Sequence, residues 1–238
     1  MTTSTPIPQT AGASPRPDTR EMIIVHNVFR RLFGDLPGLV RAAEPGDVAR
    51  ARVLADVYTE ISTALHHHHS GEDELLWPVL VQRVEADRGF VLRAEEQHER
   101  VHELLERAKP QADAFAQTAS ASARDALAAT IEELDAALRD HMADEERYIL
   151  PLVEEHLSVA EWEQLGERGR ASIPKDRLLV QLGWILDGLP AADRREFLTS
   201  MPLPARVAWR LIGKRSWRKE RDAIYGAGAG KGAAGEGR

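Results

Sequence analysis

Histidine and glutamate side chains recur in this sequence in pairs that are four residues apart. The pairs are His68 with Glu72, His98 with His102, and His141 with Glu145. On a helix, residues i and i+4 lie one turn apart on the same face, so each pair would present two side chains to one point. Imidazole nitrogens and carboxylate oxygens are common ligands of metal ions. The spacing therefore predicts a metal site built from several helices.

The same residues fall on apolar stripes that are expected to face the interior of a helical protein. His26 joins them, because it lies between Met22 and Phe29 on the stripe of the first segment. Burying a polar group without a partner costs about 1–3 kcal/mol, and more for a charged group, whereas a bound cation offsets that cost. A single histidine on an apolar stripe is more often a hydrogen-bonded core residue. Seven such residues together favour a metal site.

The residue types do not identify the metal. Imidazole suits Zn, Cu, Fe and Ni alike. A site with one ion, held by only some of the seven residues, is an alternative.

The two His-x-x-x-Glu pairs belong to an internal repeat. Residues 68–78 (HHSGEDELLWP) and 141–151 (HMADEERYILP) share the order His, three residues, Glu, five residues, Pro. The repeat suggests that the two helices are related by a pseudo-twofold axis. In the run of four histidines, only His68 keeps both this spacing and the phase of the stripe. The other three, His66, His67 and His69, are predicted to be surface residues or donors behind the ligands.

Further acidic residues flank the candidate ligands. Glu146 stands next to Glu145 but leaves the four-three spacing of the stripe, so Glu145 is the preferred ligand. Glu146, Glu21, Asp73 and Asp144 are interpreted as parts of solvated helix faces.

Apolar residues recur with helical period in four segments, and the alternation typical of strands is absent. The segments span about 20–42, 47–83, 90–115 and 121–157. We predict an all-α fold in which residues 20–157 form an antiparallel up-down-up-down four-helix bundle. A C-terminal helical extension over 158–225 follows, and Ser158 with Glu161 forms a capping-box pattern at its start. Residues 1–19 are predicted to be a disordered N-terminal arm, and residues 226–238 a disordered Gly/Ala tail.

Composition limits the chemistry and the partners. The chain has no cysteine, which excludes disulfides, iron–sulfur clusters, thiolate zinc sites and cysteine nucleophiles. Its 31 Lys and Arg against 38 Asp and Glu give a net charge of -7, so nucleic acid is not expected as a partner. No signal sequence and no apolar run of about 20 residues is present, which predicts a cytoplasmic protein with no membrane partner.

The charge is unevenly distributed along the chain. From residue 205 onward, nine Lys and Arg stand against three Asp and Glu, a balance of +6, and the remainder carries -13. The basic extension could meet phosphate or an acidic protein partner. Its apolar residues favour packing against the bundle instead, and these are Trp209, Leu211, Ile212 and Trp217.

The set of seven residues resembles the metal site of the hemerythrin-like, or HHE cation-binding, proteins. The resemblance covers about residues 20–157 and agrees in order and residue type in four helices. It implies two iron ions (Fe2+/Fe3+) joined by an oxo or hydroxo bridge, with an open position where dioxygen binds. It also implies that Glu72 and Glu145 bridge the ions and that five histidines are terminal ligands. Those histidines are His26, His68, His98, His102 and His141.

One departure from the family pattern bears on function. Oxygen-carrying hemerythrins have His-x4-Asp in the last helix, whereas this chain has His-x3-Glu at 141–145. We predict that the centre binds dioxygen or a related small molecule, such as peroxide or nitric oxide. One alternative is an enzyme with catalase-like, peroxidase-like or nitric-oxide-processing activity, which Tyr148 on the same stripe would support. Another is an iron or oxygen sensor that signals through the basic C-terminal extension.

Overall fold

The computed structural model describes residues 15–226, and every regular element in that range is helical. In chain order these are α1 (Arg20–Arg41), α2 (Val48–Leu75), α3 (Trp77–Arg83), α4 (Arg88–Thr118), α5 (Ala121–Asp144), a π-helical turn (Glu145–Ile149), α6 (Leu150–His156), α7 (Val159–Ser172), α8 (Leu178–Gly188), α9 (Ala191–Ser200), α10 (Leu203–Ala208), a second π-helical turn (Trp209–Gly213) and α11 (Lys214–Tyr225). The all-α prediction is confirmed for this part of the chain. None of the described helices is both long enough and apolar enough to cross a lipid bilayer. Residues 1–14 and 227–238, which hold most of the predicted arm and tail, lie outside the described range.

Four long helices, α1, α2, α4 and α5, pack side by side. α1 contacts α2 and α5, and α4 contacts the same two helices. Only Ala119 and Ser120 join α4 to α5. Ala119 adopts a left-handed conformation (φ 45°) that ends α4, and the Ser120 hydroxyl accepts a hydrogen bond from the Ala123 amide at the start of α5. This short connection makes α4 and α5 a helical hairpin.

Buried apolar side chains form two clusters, which we call the large cluster and the small cluster. The large cluster takes residues from all four long helices and from the C-terminal helices, for example Phe33, Leu65, Phe115, Ile131 and Trp209. The small cluster consists of Leu76, Trp77, Leu80, Val84, Val91, Ala94, Ile149, Val153 and Leu157. Along the second predicted helix, the large cluster therefore ends at Leu65 and the small cluster begins at Leu76.

The sequence predicts continuous helices over 47–83 and 121–157, but the structure interrupts each of them. α2 ends at Leu75 before α3 begins, and α5 passes into a π-helical turn before α6. Pro78 and Pro151 explain both interruptions, because proline has no amide hydrogen and its ring crowds the carbonyl four residues earlier. The proline of the internal repeat therefore loosens each helix just beyond Glu72 and Glu145, and π-helical turns are frequent at functional sites.

The C-terminal extension begins with the predicted capping box and packs against α1 and α2. The Ser158 hydroxyl accepts a hydrogen bond from the Glu161 amide (3.3 Å), and the Glu161 carboxylate accepts one from the Ser158 amide (2.9 Å). The Arg177 guanidinium joins Glu60 of α2 (2.9 Å) to Glu220 of α11 (2.7 Å). The extension adds to the large cluster Val180, Leu182, Trp184, Leu186, Trp209, Trp217 and Ile224.

Residues 15–19, the described part of the predicted arm, lie against the helices that follow the four long ones. The buried Thr19 hydroxyl donates to the Glu154 carboxylate (2.7 Å). The Trp162 indole donates to the Asp18 carbonyl (3.0 Å). The prediction of a disordered arm is wrong for these residues, because α6 and α7 supply partners that local composition does not reveal.

Gly183 tests how closely two helices of the extension, α8 and α11, pack against each other. A Cβ atom on this residue would overlap the Trp217 ring of α11, so we expect Gly183→Ala to lower the free energy of unfolding by about 1–3 kcal/mol. Gly169→Ala in α7 is the matched control, since nothing lies within 4 Å of its added Cβ. That change should raise stability by up to about 1 kcal/mol, because alanine is the better helix former. Urea denaturation followed by circular dichroism measures both, and equal stabilities would contradict the close packing.

Candidate metal centre

Seven polar side chains meet in a layer between the large and the small cluster. They come from all four long helices and from the first residue of the π-helical turn, and they are His26, His68, His69, Glu72, His98, His141 and Glu145. Six of them are buried, and the His68 side chain is 13% exposed. The layer is polar at a depth where helical proteins normally pack apolar side chains. The free energy of burying these polar groups must therefore be offset by a binding partner.

The candidate ligand atoms fall into two groups, and the atoms of each group all lie within 4.8 Å of one another. One group is His69, Glu72, His98 and His141, and the other is His26, His68, Glu72 and Glu145. Glu72 belongs to both, since its Oε1 lies 3.3 Å from His68 Nε2 and its Oε2 lies 3.5 Å from His98 Nε2. Glu145 Oε2 also lies between the groups, 3.3 Å from His26 Nε2 and 3.6 Å from His141 Nε2. Both carboxylates therefore lie between the two groups, and each group could hold a metal ion.

The inward-facing atoms of this layer lack hydrogen-bond partners among the described residues. They are the Nε2 atoms of His26, His68, His69, His98 and His141, together with both carboxylate oxygens of Glu72 and of Glu145. Each unsatisfied buried group costs about 1–3 kcal/mol. Neutral imidazole nitrogens and carboxylate oxygens are a donor set that divalent transition metals bind, so the residues present fit metal ions.

Two carboxylates behind the layer hold histidine rings in place. Asp73 Oδ1 lies 2.8 Å from His98 Nδ1 and also accepts a hydrogen bond from the Trp77 indole (3.0 Å). Glu146 Oε1 lies 2.8 Å from His26 Nδ1. A carboxylate at Nδ1 fixes the proton there and leaves the Nε2 lone pair directed inward. Asp73 is exposed, as its interpretation as part of a solvated face expects, and Glu146 is half-buried. That interpretation does not include the contact that each of them makes with a histidine ring.

His69 is the residue that the sequence analysis assigned incorrectly. Adjacent residues on a helix are rotated by about 100°, and α2 lies between α1 and α4, so its two histidines face different neighbours. The His68 ring meets the His26 ring edge-on at 5.4 Å between centroids, whereas the His69 ring stacks on His98 at 3.9 Å. His69 also continues a row of four-residue steps from Leu65, and that spacing could have identified it.

Of the neighbouring histidines, His66 is exposed and His67 is half-buried. Neither belongs to the two groups of ligand atoms.

His102 is predicted to face the interior, and this prediction is wrong because the side chain is exposed. Beyond His98 the buried face of α4 continues at Val101 and Leu105, three and seven residues on. A residue four positions on lies at the opposite edge of that face. The structure therefore brings six of the seven predicted residues together and replaces His102 with His69.

Burial keeps two imidazoles of the layer in the neutral form that binds metal. It lowers the pKa of His68 and of His141 to about 3, so these imidazoles are neutral at physiological pH. It raises the pKa of Glu72 well above its usual range, and the charge of Glu145 adds to that effect. Burial also acts to raise the pKa of Glu145, but the adjacent His26 outweighs it and holds that pKa at about 2. Metal ligation requires neutral imidazoles, which burial supplies at His68 and His141, and a carboxylate at Glu72, which must lose its proton when a cation binds. Burial also acts to lower the pKa of His26, but Glu145 and Glu146 outweigh it and raise that pKa.

A comparison with protein families supports the same chemistry. Residues 19–158 match the model of the hemerythrin HHE cation binding domain. The chain belongs to the hemerythrin HHE cation-binding family. This hemerythrin domain contains all seven residues of the polar layer, and the resemblance that the sequence predicts is confirmed. Searches of the curated proteins and of the solved structures gave no significant match.

His69 and His102 provide a direct test of the ligand set in this hemerythrin domain. We expect His69→Ala to reduce the metal content of the purified protein by at least about half, because one group loses one of its four ligands. His102→Ala should leave the metal content unchanged, since that side chain is exposed. Elemental analysis of both variants measures the difference. Loss of metal from the His102 variant alone would contradict the arrangement.

Asp73 tests the support behind the ligands. We expect Asp73→Asn to weaken metal affinity by about 10- to 100-fold, because the amide is a poorer acceptor for His98 Nδ1 than the carboxylate. Glu74→Gln is the matched control, since Glu74 is an exposed neighbour that pairs with Arg168. Competition with a metal chelator measures both affinities. Equal affinities in the two variants would show that Asp73 does not position His98.

Proposed function

We propose that this chain holds two iron ions joined by an oxo or hydroxo bridge and binds dioxygen or a related small molecule, such as peroxide or nitric oxide. The observation that carries the proposal is Glu72, whose two oxygens face histidines of different groups, His68 and His98. A carboxylate in that position links two cations into one centre, whereas a single ion would not need it.

The proposed ligand set follows the two groups of atoms. The terminal ligands would be His26, His68, His69, His98 and His141, and the carboxylates shared by the two ions would be Glu72 and Glu145. Iron at this site would supply electrons and an open coordination position for the small molecule. The neutral imidazoles make the site less anionic than one rich in glutamate, which favours binding of the molecule over its activation.

The two sides of the centre differ in the number of imidazoles. His26 and His68 face one ion position, whereas three histidines face the other. The side with fewer protein ligands has room for an added molecule. His68 is the most exposed of the candidate ligands, and the ring of the buried Phe29 lies 5.4 Å from its ring. We infer that the small molecule enters beside His68, against an apolar wall that limits water.

The proposal includes the antiparallel up-down-up-down order of the four long helices. Residues 42–47 span at most about 20 Å, whereas α1, with 22 residues, is about 33 Å long. α2 must therefore begin near the end of α1 and, because the two helices are in contact, run back along it. α4 and α5 are already a hairpin. This order lets each long helix contribute a ligand to one layer.

Tyr148 lends no support to a turnover reaction at the centre. Its ring stacks on Phe90 with 4.5 Å between centroids and 4° between planes, and the Arg147 guanidinium lies 5.1 Å from its ring centroid. The half-buried tyrosine therefore packs against α4. The binding of a small molecule is therefore the function we advance.

Metal analysis and optical spectroscopy test the proposal together. We expect about two irons per chain after aerobic purification, with oxo-to-iron charge-transfer bands. Mixing the reduced protein with dioxygen or nitric oxide should change the spectrum without consuming the gas continuously. Near-stoichiometric zinc, or the absence of metal, would contradict the iron assignment. Sustained gas consumption would show an enzyme instead.

The shared carboxylate gives this experiment an internal control. Glu72→Ala should remove more than one iron per chain, because both ion positions lose a ligand. His69→Ala should remove about one. If the Glu72 variant loses no more iron than the His69 variant, Glu72 does not join the two positions.

A further inference from the structure

The outer face of the last helical segment exposes large apolar side chains. Leu203, Val207 and Leu211 are 66%, 44% and 75% exposed, and Ile212 is 59% exposed. The first three are spaced four residues apart, so they form one ridge along the helix. Water contact with so many neighbouring apolar groups is unfavourable, and such patches usually mark a surface that binds something.

The second π-helical turn helps to create this ridge. It spans Trp209 to Gly213, and both of these residues are buried. A π-helical turn contains an extra residue relative to an α-helical turn. Leu211 and Ile212 can therefore both be exposed while Trp209 and Gly213 stay buried. The arrangement also leaves no room for a Cβ at Gly213, where it would overlap the Trp209 ring.

A row of basic residues runs beside the apolar ridge. Arg206, Arg210, Lys214 and Arg218 are spaced four residues apart, and within residues 15–226 none of them has a carboxylate within 4.0 Å. Like charges at this spacing repel one another and destabilise a helix. An anionic partner would relieve that repulsion.

Two hollows beside the basic row are suited to the headgroup of an amphiphile. They have volumes of about 270 and 300 Å³, and both are lined by Leu198, Trp209 and Lys214. The first is bordered by Arg210 and the second by Arg218. The carboxylate in the second hollow, Asp187, is paired with Arg31 (3.0 Å). The hollows therefore combine an apolar lining with a basic border.

We propose that this face docks on an anionic phospholipid surface, with the apolar ridge entering the interface and the basic row contacting lipid phosphates. An apolar stripe flanked by Lys and Arg is the pattern of helices that lie in a membrane interface. Nucleic acid fits less well, because Trp209 and Trp217 are buried and offer no ring for bases to stack on. The docking is peripheral and needs no spanning helix. It revises the sequence-based expectation of no membrane partner.

Co-sedimentation of the full chain with vesicles tests the charge requirement. We expect binding to vesicles of phosphatidylglycerol mixed with phosphatidylcholine to be at least about tenfold stronger than binding to phosphatidylcholine alone, and to weaken with salt. Arg210→Glu with Lys214→Glu should weaken binding by at least about tenfold. Arg52→Glu with Lys109→Glu is the matched control, since both residues are exposed and unpaired within the described chain. An equal loss in the control, or no preference for the anionic vesicles, would overturn the proposal.

The apolar ridge is tested separately. Leu211→Ser should weaken vesicle binding several-fold, whereas Leu92→Ser, at a site 43% exposed on α4, should not. Unchanged circular dichroism and metal content confirm that each variant is folded. Two further results would overturn the lipid assignment. One is tight binding of heparin with no binding of vesicles. The other is a wild-type dimer that Leu211→Ser dissociates, because the ridge would then bind a second copy of the chain.

Discussion

The desolvation of five imidazoles and two carboxylates in one layer is the constraint on which the rest of this structure depends. A hydrophobic protein interior does not tolerate nine inward-facing polar atoms without partners. The long helices nevertheless direct these atoms at one another, and Asp73 and Glu146 hold two of the rings in that orientation. Such an arrangement stores unfavourable free energy until cations neutralise it. The fold is therefore organised around its ligands as much as around its apolar side chains.

Two of the helices that supply this layer are irregular close to it. Pro78 and Pro151 interrupt their helices just beyond the two glutamates, so the backbone there is less constrained by the regular hydrogen-bond ladder. α2 contributes three residues because it lies between two other long helices and presents His68 to one and His69 to the other. Regular helices and one ligand pair on each would not give the same two groups. The C-terminal extension plays a different part, since it enlarges the apolar cluster at one side of the layer.

Much of this arrangement could be predicted from the sequence, and the errors have a common cause. The spacing of His68 to Glu72 and of His141 to Glu145 locates them correctly because a pair four residues apart shares a face in any α-helix. The choice of His102 over His69 fails because that rule treats each helix as having a single interior stripe. The width and drift of the buried face depend on which neighbours a helix has, which local spacing does not contain. The interruptions beyond the glutamates are a different case, because the two prolines that cause them are visible in the repeat.

The division of the apolar interior into a large and a small cluster has a consequence for how the molecule comes apart. The polar layer separates the two, so the small cluster, with α3 and α6, is joined to the large cluster chiefly through it. When cations occupy the polar layer, the large and the small cluster are expected to unfold together as one cooperative unit. Without that compensation, the smaller end is the part expected to open first, because it has fewer apolar contacts to oppose local unfolding. Partial unfolding at one end, rather than collapse of the whole chain, would then be how a protease distinguishes the metal-free protein from the loaded one.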